Sequence, residues 1–116
     1  MKVYLICPVR NRSPEDVAFA DSYVASLESL GSVVHYPPRD VRQDDECGLA
    51  ICEAHRMAMI DADEVHVIWN PQSYGSHFDF GMAFALAKPI RCVRAEETQG
   101  KSYANVLVRL SSKPPE

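Results

Sequence analysis

The run KVYLIC at residues 2–7, closed by Pro8 and followed by SPED at 13–16, decides the fold. Its first part is short, β-rich and almost wholly apolar, the pattern of a parallel strand buried on both faces. Its second part opens a helix. Ser13 takes the N-cap, Pro14 the first turn, and Glu15 and Asp16 face the positive end of the dipole. Val17, Ala20, Val24 and Leu27 then recur at helical spacing, and Gly31 supplies a C-terminal stop. The unit is strand, loop, helix.

Outward from that unit the alternation continues. SVVHY at 32–36 reads as a second strand closed by Pro37 and Pro38, and a polar loop over 39–45 leads into a helix over about 46–62. EVHVIW at 64–69 is a third strand, and residues 70–77 form a loop rich in turn residues. A helix over 78–87 is apolar nearly all round, which predicts heavy burial. Lys88 and Pro89 break it, residues 90–93 give a fourth strand, 101–112 a last helix, and 113–116 a frayed tail. Such an alternation predicts right-handed βαβ crossovers and a three-layer α/β fold of flavodoxin or Rossmann type. The expected sheet is short and parallel, in the order 2-1-3-4. Ligands of such sheets bind at the carboxyl ends of the strands, at the switch point between strands 1 and 3. The loops there are 8–13 and 70–77.

The 116 residues suit one domain, spanning 1–112, and 47% of them are hydrophobic. A net charge of −4 with no basic run argues against a nucleic-acid polymer or an anionic membrane as partner. No apolar stretch has the length of a membrane span, and the first residues lack the pattern of a secretory signal. Cys7, Cys47, Cys52 and Cys92 form no C-x-x-C pair, so a reducing, cytoplasmic setting is expected rather than a disulfide framework.

Four places carry polar chemistry. Asp79 is the only charge in 78–87, in what reads as the first turn of its helix. It is either a dipole-held nucleophile or base, flanked by the desolvating Phe78 and Phe80, or the capping-box partner of Ser76 three residues earlier. The loop Pro8-Val9-Arg10-Asn11-Arg12 brings two guanidinium groups ahead of a helix start, which suits a phosphate or simply a solvated surface. No G-x-G-x-x-G spacing accompanies it. Asn70, Ser73, Gly75 and Ser76 offer amide, hydroxyl and backbone groups for a sugar or base edge, or ordinary turn chemistry. His55 shares a helix face with Ile51, Cys52, Ala58 and Met59, as a packing residue or a proton carrier. Cys52 and His55 alone make no metal site, and neither metal nor cofactor is expected.

Three stretches, in this order and spacing, give the chain its resemblance to a known family: VYLICPVR at 3–10, IDADEVHVIW at 60–69 and SYGSHFDFGMAFALAKPI at 73–90. Together they resemble the nucleoside 2-deoxyribosyltransferase superfamily, especially its small nucleoside 5′-monophosphate N-glycosidase branch. The resemblance implies an enzyme that cleaves the N-glycosidic bond of a nucleoside or nucleotide, or exchanges its base. A helix-start glutamate would attack the anomeric carbon, and an acid on the preceding helix would protonate the departing base. It places the nucleophile at Asp79, the helical acid at His55, the sugar-side loop at Ser73 and Gly75, and the 5′ end at Pro8, Val9 and Arg10. Two positions depart from the family's pattern. Asp79 is one methylene shorter than glutamate, so the sugar must sit ~1–1.5 Å closer, a misplacement that can cost on the order of 100-fold in rate. His55 replaces the acid. The alternative is a nucleotide-binding module that has lost its chemistry, and a third reading is a structural domain without a ligand. The resemblance also implies a homodimer or higher homo-oligomer, for which the apolar helices offer an interface.

Overall fold

The computed structural model describes residues 1–112, so the expected frayed tail at 113–116 lies outside the described residues. Four strands form one all-parallel sheet: β1 (Lys2–Ile6), β2 (Val33–His35), β3 (Glu64–Ile68) and β4 (Ile90–Arg94). Their order is β2-β1-β3-β4, as the alternation predicts. Five helical segments connect and follow them: α1 (Pro14–Ser29), α2 (Pro37–Asp40), α3 (Leu49–Asp61), α4 (Tyr74–Ala85) and α5 (Tyr103–Ser111).

Strand alternation divides the core in two. Val3 and Leu5 turn to α1 and meet Ala20 and Val24, while Tyr4 and Ile6 turn to the opposite layer with Met59, Phe80, Ala83 and Leu107. Helix α1 thus covers one face, and α3, α4 and α5 cover the other. Its ends follow the sequence closely. Ser13 Oγ accepts from Asp16 N at 3.0 Å. Gly31, at φ +94°, closes a Schellman turn in which Gly31 N donates to Glu28 O and Ser32 N to Leu27 O.

Three boundaries differ from the expected ones, each for a local reason. The polar stretch after β2 begins with the short α2, because Asp40 folds back to accept from Tyr36 N at 2.8 Å. Helix α3 starts at Leu49 rather than near residue 46. Gly48, at φ +90°, turns the chain, and Asp45 Oδ2 reaches past it to accept from Ala50 N at 2.7 Å and Ile51 N at 3.2 Å. Helix α4 starts at Tyr74, four residues before the expected start, because Ser73 caps it. It is not heavily buried all round either: Phe78 is 56% and Phe84 62% exposed. At its exit Lys88 Nζ donates to Ile60 O at 2.9 Å and Ala62 O at 2.8 Å, tying the end of α4 to the end of α3. No helix of the described residues is long and apolar enough to cross a membrane.

Candidate active site

The early start of α4 changes the setting of Asp79. It lies in the second turn, not the first, and the residue is only 6% exposed. The capping box with Ser76 does not form. Ser73 Oγ accepts from Ser76 N at 3.2 Å and donates to Ser76 Oγ at 2.9 Å, which leaves Ser76 buried and Asp79 free for other partners.

Those partners come from three elements. Tyr4 of β1 donates its hydroxyl to Asp79 Oδ2 at 2.8 Å. His55 of α3 sets Nδ1 at 3.2 Å from Oδ1 and 3.0 Å from Oδ2, so its ring straddles the carboxylate. A carboxylate only accepts, which makes Nδ1 the protonated nitrogen of His55 and leaves Nε2 the functional one. His35 of β2 completes the cluster, stacked on Tyr4 with ring centroids 5.1 Å apart and edge-on to His55 at 6.4 Å. The Nε2 atoms of His35 and His55 are both buried without a hydrogen-bond partner among the described residues. Buried polar atoms of that kind are uncommon and mark places where a ligand, a water or a proton transfer finds its partner.

Electrostatics fixes two of these groups. Burial, reinforced by the adjacent Asp79 charge, pushes the Tyr4 phenol far above its ordinary range, so it remains a donor at any working pH. Burial lowers His35 below its ordinary value, and the Asp40 carboxylate opposes that only in part. Cys7, just past β1, is pushed up to about 12 by burial, which removes it as a nucleophile. No group of three or more His, Cys, Asp or Glu side chains with metal-binding geometry occurs among the described residues.

The other singled-out residues are divided between two places. A crevice of about 1390 Å³ opens at the carboxyl ends of β1, β3 and β4 and is lined by Pro8 and Asn70. Asp79 and His55 do not line it. Val9 is half-buried, and Arg10 is exposed with no ion-pair partner among the described residues. Arg12 is committed to the Tyr36 hydroxyl at 2.8 Å. Asn70 Oδ1 accepts from Gln72 N at 2.8 Å, ordinary turn chemistry. Gly75 belongs to the first turn of α4, with open space where a Cβ would stand. Sequence reasoning missed Tyr4 and His35. The available signal was a phenol in an otherwise aliphatic strand, because a buried tyrosine hydroxyl needs a partner.

Four parallel strands in this order, flanked by these helices, make up a layered α/β fold of flavodoxin or Rossmann type. Among solved structures the chain is similar to a 2-deoxyribosyltransferase from the psychrotolerant bacterium Bacillus psychrosaccharolyticus, at 19% identity and TM-score 0.71 with 100% of each chain covered. It is also similar to the CMP N-glycosidase BcmB of Clostridium botulinum, at 20% identity and TM-score 0.66, covering 96% of this chain and 83% of that one. A conserved protein from Enterococcus faecalis V583 matches at 17% identity and TM-score 0.65, covering 90% and 70%. No protein-family model matches the sequence, and no curated protein does.

Proposed function

We propose that the chain cleaves the N-glycosidic bond of a nucleoside or nucleoside 5′-monophosphate, with Asp79 as nucleophile and His55 as acid partner. The observation that carries this reading is the buried Asp79 carboxylate held between Tyr4 and His55. The likeness to a deoxyribosyltransferase and a CMP N-glycosidase gives it the fold such chemistry uses. In the first step an Asp79 oxygen bonds to the anomeric carbon and the bond from that carbon to the base nitrogen breaks. The base leaves with the electron pair and takes a proton from Nε2 of His55, which enters this step protonated at both ring nitrogens and leaves it neutral, keeping the proton on Nδ1. Water, or the nitrogen of a second base, then attacks the same carbon, gives its proton to His55 Nε2 and releases the carboxylate. Tyr4 keeps the attacking group in place and Arg10 faces the 5′ phosphate, with Ser73 and Gly75 beside the sugar.

A second reading draws on the burial itself. Both Asp79 oxygens are already engaged inside the protein, and the side chain is a methylene shorter than glutamate, which favours a module that binds nucleotide without chemistry. Base release from a panel of nucleosides and 5′-monophosphates, followed by chromatography with and without an acceptor base, separates the two. The enzyme reading expects release by the wild type and at least ~100-fold less by Asp79→Asn. Nucleotide binding without release supports the module. Retention of full turnover by Asp79→Asn contradicts the nucleophile assignment.

A further inference from the structure

The crevice at the β4–α5 side has walls that the chemistry above does not use. Its aromatic wall is a ladder: the Trp69 and His77 centroids are 4.7 Å apart, and His77 and Tyr103 5.5 Å apart at 85°. His77 Nδ1 must donate to Ser73 O at 2.8 Å, because a carbonyl only accepts, which locks the ring in this ladder and leaves Nε2 as its free nitrogen. Tyr103 at the outer end is 61% exposed, so a ring can be laid against it. The charged lining is mainly basic, with Arg12, Arg94, Lys101 and Arg109 against Asp16 and Glu96. Arg94 is held by Asp16 at 3.1 Å, whereas Lys101 and Arg109 pair with no carboxylate among the described residues.

The segment carrying Lys101 and Tyr103 is held in advance. Asn105 Nδ2 donates to Thr98 O at 2.7 Å and Gly100 O at 2.8 Å, and Asn105 Oδ1 accepts from Thr98 N at 3.0 Å. Concave, preformed sites lined by aromatic groups with a few convergent polar ones are where small ligands bind. An exposed aromatic face beside unpaired cations selects a ligand that is itself aromatic and anionic.

We infer that this crevice is a second nucleotide site, in which the base stacks on the Tyr103–His77 wall and the phosphate meets Lys101. It shares Pro8 and Asn70 with the loops of the proposed substrate site but neither Asp79 nor His55, so the two readings stand or fall separately. Trp69, the single tryptophan, lines the crevice and reports occupancy by its fluorescence. The test titrates AMP, adenosine and inorganic phosphate into the wild type, Tyr103→Ala, Lys101→Glu and Arg10→Ala, all changed at exposed positions. AMP is expected to give a saturable change, with adenosine and phosphate each at least ~5-fold weaker. Tyr103→Ala and Lys101→Glu are expected to weaken AMP by ~5-fold or more, as loss of one stacking partner does, and Arg10→Ala to leave the curve in place. Three results would overturn the inference: no saturable change with AMP, a curve that neither Tyr103→Ala nor Lys101→Glu shifts, or one that Arg10→Ala abolishes. Adenosine binding as tightly as AMP would overturn the cationic half of it. Base release is read in a separate assay, so its failure leaves this result standing.

Discussion

Tyr4 donates to Asp79 from the middle of a strand, where neither side chain meets bulk water. Tyr4→Phe removes the donor and leaves Oδ2 with His55 alone, so a loss of roughly 1–3 kcal/mol in urea unfolding is expected. Unchanged stability would mean that water takes over the bond. His35 gives the pH dependence. Its folded pKa lies below its ordinary value near 6.5, so between the two the unfolded chain binds the extra proton. Stability is therefore full above about pH 6.5 and declines as pH falls through that window to the folded value. The groups facing His35 are Tyr4, His55, Asp79, Asp40 and Arg39. Substituting His35→Gln should flatten this limb of the stability profile, and parallel profiles for the two proteins would argue against it. At this scale the sequence was half legible. Asp79 and His55 stood out as a lone charge and a lone imidazole on apolar faces. Tyr4 sat inside the most readable strand, but strand periodicity says which face a side chain takes and nothing of what its tip meets. His35 required the partner strand and α3 to be placed first.

Helix α4 shows how a cap overrides composition. Gly75 and Ser76 are turn formers, and their presence made 70–77 read as loop. The Ser73 hydroxyl satisfies the first-turn donor at Ser76 and commits both residues to the helix. That shift of four residues moves Asp79 from the dipole end to the protein interior. Ser73→Ala should cost about 1 kcal/mol, within the usual range for a lost cap, measured by thermal or urea unfolding. A neutral result would show that tertiary packing alone holds this end of α4. The same competition governs α3, where Asp45 reaches across Gly48 to cap from outside the helix, a pattern that i-to-i+3 spacing does not reveal. Helix α1 was fully readable because Ser13, Pro14 and Gly31 act locally.

Over the whole molecule, sheet order followed from alternation alone, since right-handed crossovers leave few ways to wind four parallel strands. What alternation could not show is which apolar positions stay outside. Met57 and Ile60 on α3, and Phe78 and Phe84 on α4, are all more than half exposed. We propose that these side chains take part in self-association, because large exposed apolar side chains suit interaction sites. Sedimentation of Phe78→Glu/Phe84→Glu should show a smaller species than the wild type, and equal masses would place any interface elsewhere. The central claim, a covalent bond from Asp79 to the sugar, is tested most directly by acid-quenching the wild type during turnover of its best substrate and mapping peptides by mass spectrometry. The account predicts one glycosyl increment on the peptide bearing Asp79, absent in Asp79→Asn. Base release that proceeds with no increment there, at a rate Asp79→Asn does not change, would contradict it.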